Sequence, residues 1–151
     1  YLSVILFVLA VAAAAGTRLS LRQPDKEYDE AQRACKAKDF AAAAGLYEDW
    51  TKRDRDTFKQ ATALYELGVC HTELNHPAAA VTIHERLRFQ FPNIDYTAGT
   101  LFYLARNYSS IGAMDEAKDR AAELMKGFPD SSWVRRLQTE IPNLVNATGK
   151  T

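Results

Sequence analysis

A shift of 37 residues lays one stretch of this chain on another, superposing Phe91 on Phe128 and Pro92 on Pro129. The same shift places Leu64 on Leu101, Tyr65 on Phe102, Leu67 on Leu104, Gly68 on Ala105, Ala80 on Ala117 and Leu87 on Leu124. Moved the other way, it reaches Tyr28, Ala31, Ala43 and Trp50. A fixed period of this length marks a repeat array, in which each unit is one supersecondary element that cannot bury its apolar face alone. Neighbouring units must therefore stack. Three units fit, over residues 25–57, 58–94 and 95–130, the first being the most degraded, with Asp54 and Arg55 where Phe-Pro would stand.

Each unit reads as two helices joined by a tight turn. In the second, ATALYELGVCHTEL (Ala61 to Leu74) has near-helical apolar spacing, and Asn75, His76 and Pro77 break it. AAAVTIHERLRFQF then runs to Phe91, and Pro92 stops it. The third repeats the plan, with a turn near Gly112 and a stop at Pro129. The first pairs roughly Asp25 to Lys38 with Phe40 to Lys52. Small residues at Ala31, Gly68, Ala105, Ala43, Ala80 and Ala117 let the two helices approach, while Trp50, Leu87 and Leu124 fill the space between pairs. After Pro129, SSWVRRLQTEI offers a serine cap and a helix over 131–141 that covers the last apolar face, and residues 142–151 read as a tail.

With this pattern the chain resembles the tetratricopeptide repeat family. Leu67, Gly68, Ala80 and Pro92 match the family's signature in the second unit, and Leu104, Ala105, Tyr108, Ala117 and Pro129 match it in the third. His71 stands where the family has an aromatic residue, His84 and Ala121 replace a bulky one, and the period exceeds the usual 34. Units so spaced, closing on F-P-D-S, look like the bacterial envelope type, which includes the Tol-Pal periplasmic repeat protein and the lipoprotein of the outer-membrane barrel assembly machinery. No lipobox cysteine follows the apolar run. The resemblance implies an all-α solenoid of helical hairpins that binds proteins.

The amino end is different in kind, since YLSVILFVLAVAAAAG carries no charge before Arg18. Sixteen residues make roughly 24 Å of helix, short of a ~30 Å hydrocarbon core. The sequence begins without methionine, so a longer span is expected. We read residues 1–17 as a single-pass anchor, with Leu2, Val4, Ile5, Leu6, Phe7, Val8, Leu9 and Val11 facing lipid, and 18–24 as a short linker. The alternative is a secretory signal cleaved among the small residues of AVAAAAG.

Charge excludes a nucleic-acid partner, because nineteen basic side chains cancel nineteen acidic ones and leave no global field. The terminal GKT lacks the upstream glycine of a phosphate loop. His71, His76 and His84 lack metal-ligand spacing, and Cys35 and Cys70 form no C-x-x-C pair, so neither a metal site nor a bridge is expected. Asn107-Tyr108-Ser109 and Asn146-Ala147-Thr148 fit the glycosylation sequon. No nucleophile, base and orienting group converge, which argues against an enzyme, a cofactor or a small-molecule substrate.

Binding residues are sought on the first helix of each unit. Tyr28, Tyr65 and Phe102 share one repeat position, Gln32, Val69 and Arg106 stand four residues on, and Cys35, Thr72 and Ser109 seven on. These spacings share a helical face. In the resembled family it lines a concave, peptide-receiving groove. From Tyr28, Gln32, Tyr65, Val69, Thr72, Phe102, Arg106 and Ser109 we expect a mostly apolar groove with Arg106 its main charge; the competing reading packs the rings between units. The expected function is a membrane-anchored scaffold or assembly subunit, its solenoid in the periplasm, binding other subunits of a membrane complex. The alternative is a secreted or periplasmic envelope-assembly protein.

Overall fold

The computed structural model describes residues 24–53 and 57–148. They form eight helices: α1 (Pro24–Lys36), α2 (Phe40–Thr51), α3 (Thr57–Glu73), α4 (Pro77–Gln90), α5 (Thr97–Ser110), α6 (Met114–Gly127), α7 (Ser132–Glu140) and α8 (Pro142–Thr148). The described part is all-helical. The expected anchor over residues 1–17 lies outside the described residues, among which no helix is long and apolar enough to cross a membrane.

The backbone keeps the 37-residue period at its turns. Lys38 (φ 60°), Asn75 (φ 57°) and Gly112 (φ 82°) each turn left-handed just past α1, α3 and α5. The next N–H reaches back five residues, from Asp39 to Ala34, His76 to His71 and Ala113 to Tyr108, at 2.8–2.9 Å. This is the Schellman ending, which satisfies carbonyls that a helix terminus would otherwise orphan. Only the third turn uses glycine, so the conformation survives where the residue best suited to it is absent.

Proline supplies the other punctuation. Phe91, Phe128 and Ile141 leave α4, α6 and α7 with φ of −134°, −138° and −138°, each N–H still bonded to a leucine carbonyl four residues back. The following Pro92, Pro129 and Pro142 exclude the helical conformation at the residue before them. Phe91 packs on the core, whereas Phe128 is 37% exposed.

The odd-numbered helices lie side by side, α1 on α3, α3 on α5 and α5 on α7, while α2 and α4 each pack on both neighbouring odd helices. Two core clusters result. Tyr28, Ala31, Ala43, Tyr47 and Trp50 meet Ala63, Leu67 and Cys70 of α3; the opposite side of α3, with Ala61, Leu64 and Tyr65, joins the cluster of α4 to α8. α3 thus belongs to both, and α5 is buried almost all round. The small residues act as their spacing implied. A Cβ built on Gly68 would stand 2.4 Å from Nε2 of His84, so the glycine leaves room for a fully buried imidazole.

The tail reading is corrected over Pro142–Thr148, which forms α8. Its Leu144 is fully buried in the cluster that holds Ala117, Ala121 and Leu124, and Val145 packs beside it. Residues 141, 144 and 145 make an apolar stripe that α6 covers, so α7 and α8 form a shortened fourth hairpin.

Candidate partner-binding face

The three repeated rings are core, not surface. Tyr28 is 7% exposed, Tyr65 8% and Phe102 not at all. Each is covered by a side chain 31 residues further on, at the start of the next unit. The Tyr96 ring stacks on Tyr65 at 4.7 Å, Trp133 tilts over Phe102 at 5.3 Å, and the ammonium of Lys59 stands 5.7 Å from the Tyr28 ring. Arg136 adds its guanidinium over both Phe102 (4.5 Å) and Trp133 (5.0 Å). Neighbouring odd helices stand too close to leave a large ring bare. The apolar, aromatic lining is accordingly replaced by packing between units, the competing reading of those positions.

The face outside these rings is polar. Gln32, Val69, Arg106 and Ser109 are half-buried. Thr72 is buried and accepts a 2.8 Å hydrogen bond from Nδ2 of Asn107, which also donates to the Tyr103 carbonyl. Arg106 lies between carboxylates, with Nη1 at 4.0 Å from Glu73 and 3.9 Å from Glu140, while Arg136 holds Glu140 at 2.8 Å. A chain of alternating charge therefore runs across α3, α5 and α7. At the other end, Gln32, Cys35, Lys36, Tyr47 and Glu66 line a cleft of about 280 Å³. Burial pushes the Glu66 carboxyl up from its ordinary value.

The even helices carry a second charged network. Arg88 grips Glu123 through one nitrogen at 2.7 and 2.9 Å, Arg120 reaches Glu85 at 3.1 Å and Glu123 at 3.3 Å, and the Tyr108 hydroxyl donates to Glu85 at 3.1 Å. His71 reaches Glu48 at 3.1 Å. Glu48 and Glu85 are one period apart, as are His71 and Tyr108, so the histidine makes the contact of the aromatic residue it replaces. Beside the network, Phe89, Phe91, Pro92 and Ile94 help line a cleft of about 320 Å³, with Phe89 89% exposed.

The histidines are dispersed. His71 and His76 have ring centres 5.7 Å apart, while His84 stacks on Tyr103. Among the described residues no group of three or more His, Cys, Asp or Glu could hold a metal ion. Asn107 is buried by the bonds just described, which closes its sequon to a glycosyl transferase; Asn146 is exposed. One pairing escaped the sequence reading: Sγ of Cys35 and Sγ of Cys70 stand 3.4 Å apart across α1 and α3. The signal was a separation of 35, which also joins Thr72 to Asn107, Glu85 to Arg120 and Arg88 to Glu123.

No curated protein matches the chain. The family model for the tetratricopeptide repeat matches residues 100–131, from α5 through α6 to the cap of α7. With hairpins of the same plan stacked on either side, this match supports the tetratricopeptide repeat family and, with it, a scaffold for protein–protein interaction.

Proposed function

We propose that the chain is a membrane-held scaffold whose odd-helix face receives a polar, mixed-charge segment of a protein partner, a subunit of a membrane complex. The observation that carries this is Arg106, whose ion pairs are long, at 3.9 and 4.0 Å, on side chains more than a third exposed. Such pairs contribute little to stability, so a partner's carboxylate can displace one at small cost. Bilayer contact through residues 1–17 and the periplasmic placement rest on the apolar run and on the resemblance to envelope repeats. The small residues of AVAAAAG favour a second reading, a secreted or periplasmic envelope-assembly protein whose signal is removed.

Crosslinking in native membranes identifies the partner, after which affinity is measured with the purified pair. Arg106→Glu is expected to weaken binding by about tenfold, roughly 1.4 kcal/mol, while the thermal midpoint stays near that of the parent. Unchanged affinity in both Arg106→Glu and Glu73→Lys would remove the odd face from the proposal. Anchoring is read separately: the protein should stay with membranes through a high-pH carbonate wash, and a mature amino terminus near Thr17 would end that reading.

A further inference from the structure

The first and second unit junctions are equivalent in position and different in chemistry. Thr72 and Asn107 are Cys35 and Cys70 shifted by one period, and they join α3 to α5 by a buried 2.8 Å hydrogen bond. The same slot between α1 and α3 holds two thiols with sulfurs 3.4 Å apart. We propose that Cys35 and Cys70 are a reversible redox lock, closing to a disulfide that ties the first hairpin to the second when a hydroperoxide enters the cleft beside them. This goes beyond partner binding and does not depend on it.

Three observations support the lock. The sulfurs, 3.4 Å apart, must close by about 1.4 Å to reach the ~2.0 Å of a disulfide, a movement within the reach of side-chain rotation and slight helix shift. Access is one-sided, because Cys35 is part-exposed and lines the cleft with Gln32, Lys36, Tyr47 and Glu66, whereas Cys70 is fully buried. Attacking and resolving thiols are thereby distinguished by position. The electrostatics agree: the hydrogen bond shared with Cys70 holds the Cys35 thiol below its ordinary value against burial and Glu66, with a smaller contribution from the Tyr47 hydroxyl. Cys70 is pushed up, by that shared hydrogen bond and by burial. A lowered, accessible thiol beside a resolving one is the arrangement that oxidises selectively.

The chemistry balances without a cofactor. The Cys35 thiolate attacks the terminal oxygen of the hydroperoxide, the O–O bond breaks, and the leaving alkoxide takes up the thiol proton as alcohol, or as water from hydrogen peroxide. Cys35 is then a sulfenic acid. The Cys70 sulfur attacks the Cys35 sulfur, the S–O bond breaks, and hydroxide leaves as water with the Cys70 proton. Two thiols have lost two electrons and the peroxide has gained them. A small dithiol reverses the step by exchange.

The test treats the full chain with equimolar hydrogen peroxide, then alkylates under denaturing conditions and records intact mass. The expected result is a monomer lighter by two hydrogens with neither cysteine alkylated, restored by dithiothreitol. Its thermal midpoint should lie at least about 5 °C above the reduced form, since the bridge closes a long loop. Cys70→Ser should accumulate a sulfenic acid at Cys35 trapped by dimedone, while Cys35→Ser leaves Cys70 unmodified. The double variant Cys35→Thr/Cys70→Asn, which copies the second junction, should fold and ignore peroxide. Two alkylatable cysteines after treatment, a disulfide-linked dimer, or an unchanged midpoint in the bridged form would each overturn the proposal.

Discussion

Gly68 and His84 are one structural decision written at two positions. A methyl group on residue 68 has no room beside the buried ring, so Gly68→Ala is expected to cost about 1–3 kcal/mol. His84→Ala opens a cavity instead. If the two act through each other, the double variant loses clearly less than the sum, which a double-mutant cycle in urea reads directly. The same ring makes stability depend on pH. Burial lowers His84 to about 4, whereas the unfolded chain binds its proton near 6.5. Between those values the unfolded state holds more protons, so the contribution is complete above pH 6.5 and drains away as pH falls toward 4. About 3 kcal/mol of stability should be lost across that window, and His84→Leu should flatten the profile. Lys38 offers the opposite opportunity. Its left-handed backbone disfavours a side chain, so Lys38→Gly should raise stability by about 0.5–1 kcal/mol, and Asn75→Gly by less, because asparagine tolerates that region.

At the scale of elements, the last hairpin shows how a short helix is held by its packing. α8 has seven residues, and its Leu144 is fully buried. Leu144→Ala is expected to cost about 2–4 kcal/mol, measured by urea denaturation, and the loss would be far smaller if α8 were only a frayed end. Most of the helical hairpins could be read from sequence, because Phe91 and Phe128, the prolines after them and the small residues recur at one fixed offset. α8 could not, since Leu144 and Val145 have no counterpart in the period and acquire meaning only against α6. The expected groove shows the same limit. Helical spacing places Tyr28, Tyr65 and Phe102 on a common face, yet what covers each ring lies 31 residues away, at the head of another helix. A single-helix face contains no information about that distance. The cysteine pair was missed similarly, its offset of 35 being set by how one unit leans on the next.

Across the whole molecule, α3 decides how far disturbance spreads. It contributes Ala63 and Leu67 to one cluster and Leu64 and Tyr65 to the other, and Ile83 packs against both. The chain's two tryptophans report on the two ends, Trp50 in the first cluster and Trp133 over Phe102. In Trp50→Phe and Trp133→Phe variants the remaining indole should therefore follow the same urea transition as helical circular dichroism of that variant. Separate midpoints would show that the units part before they melt.

The covering of each ring from the next unit also has a consequence for synthesis. Translation delivers Tyr65 long before Tyr96, and Phe102 long before Trp133. A nascent chain therefore carries its newest hairpin with one ring open to water, closed only when the ribosome has added 31 further residues. During synthesis the stack therefore grows from its amino end, and a ribosome paused between those points leaves an adhesive aromatic patch for a chaperone to hold.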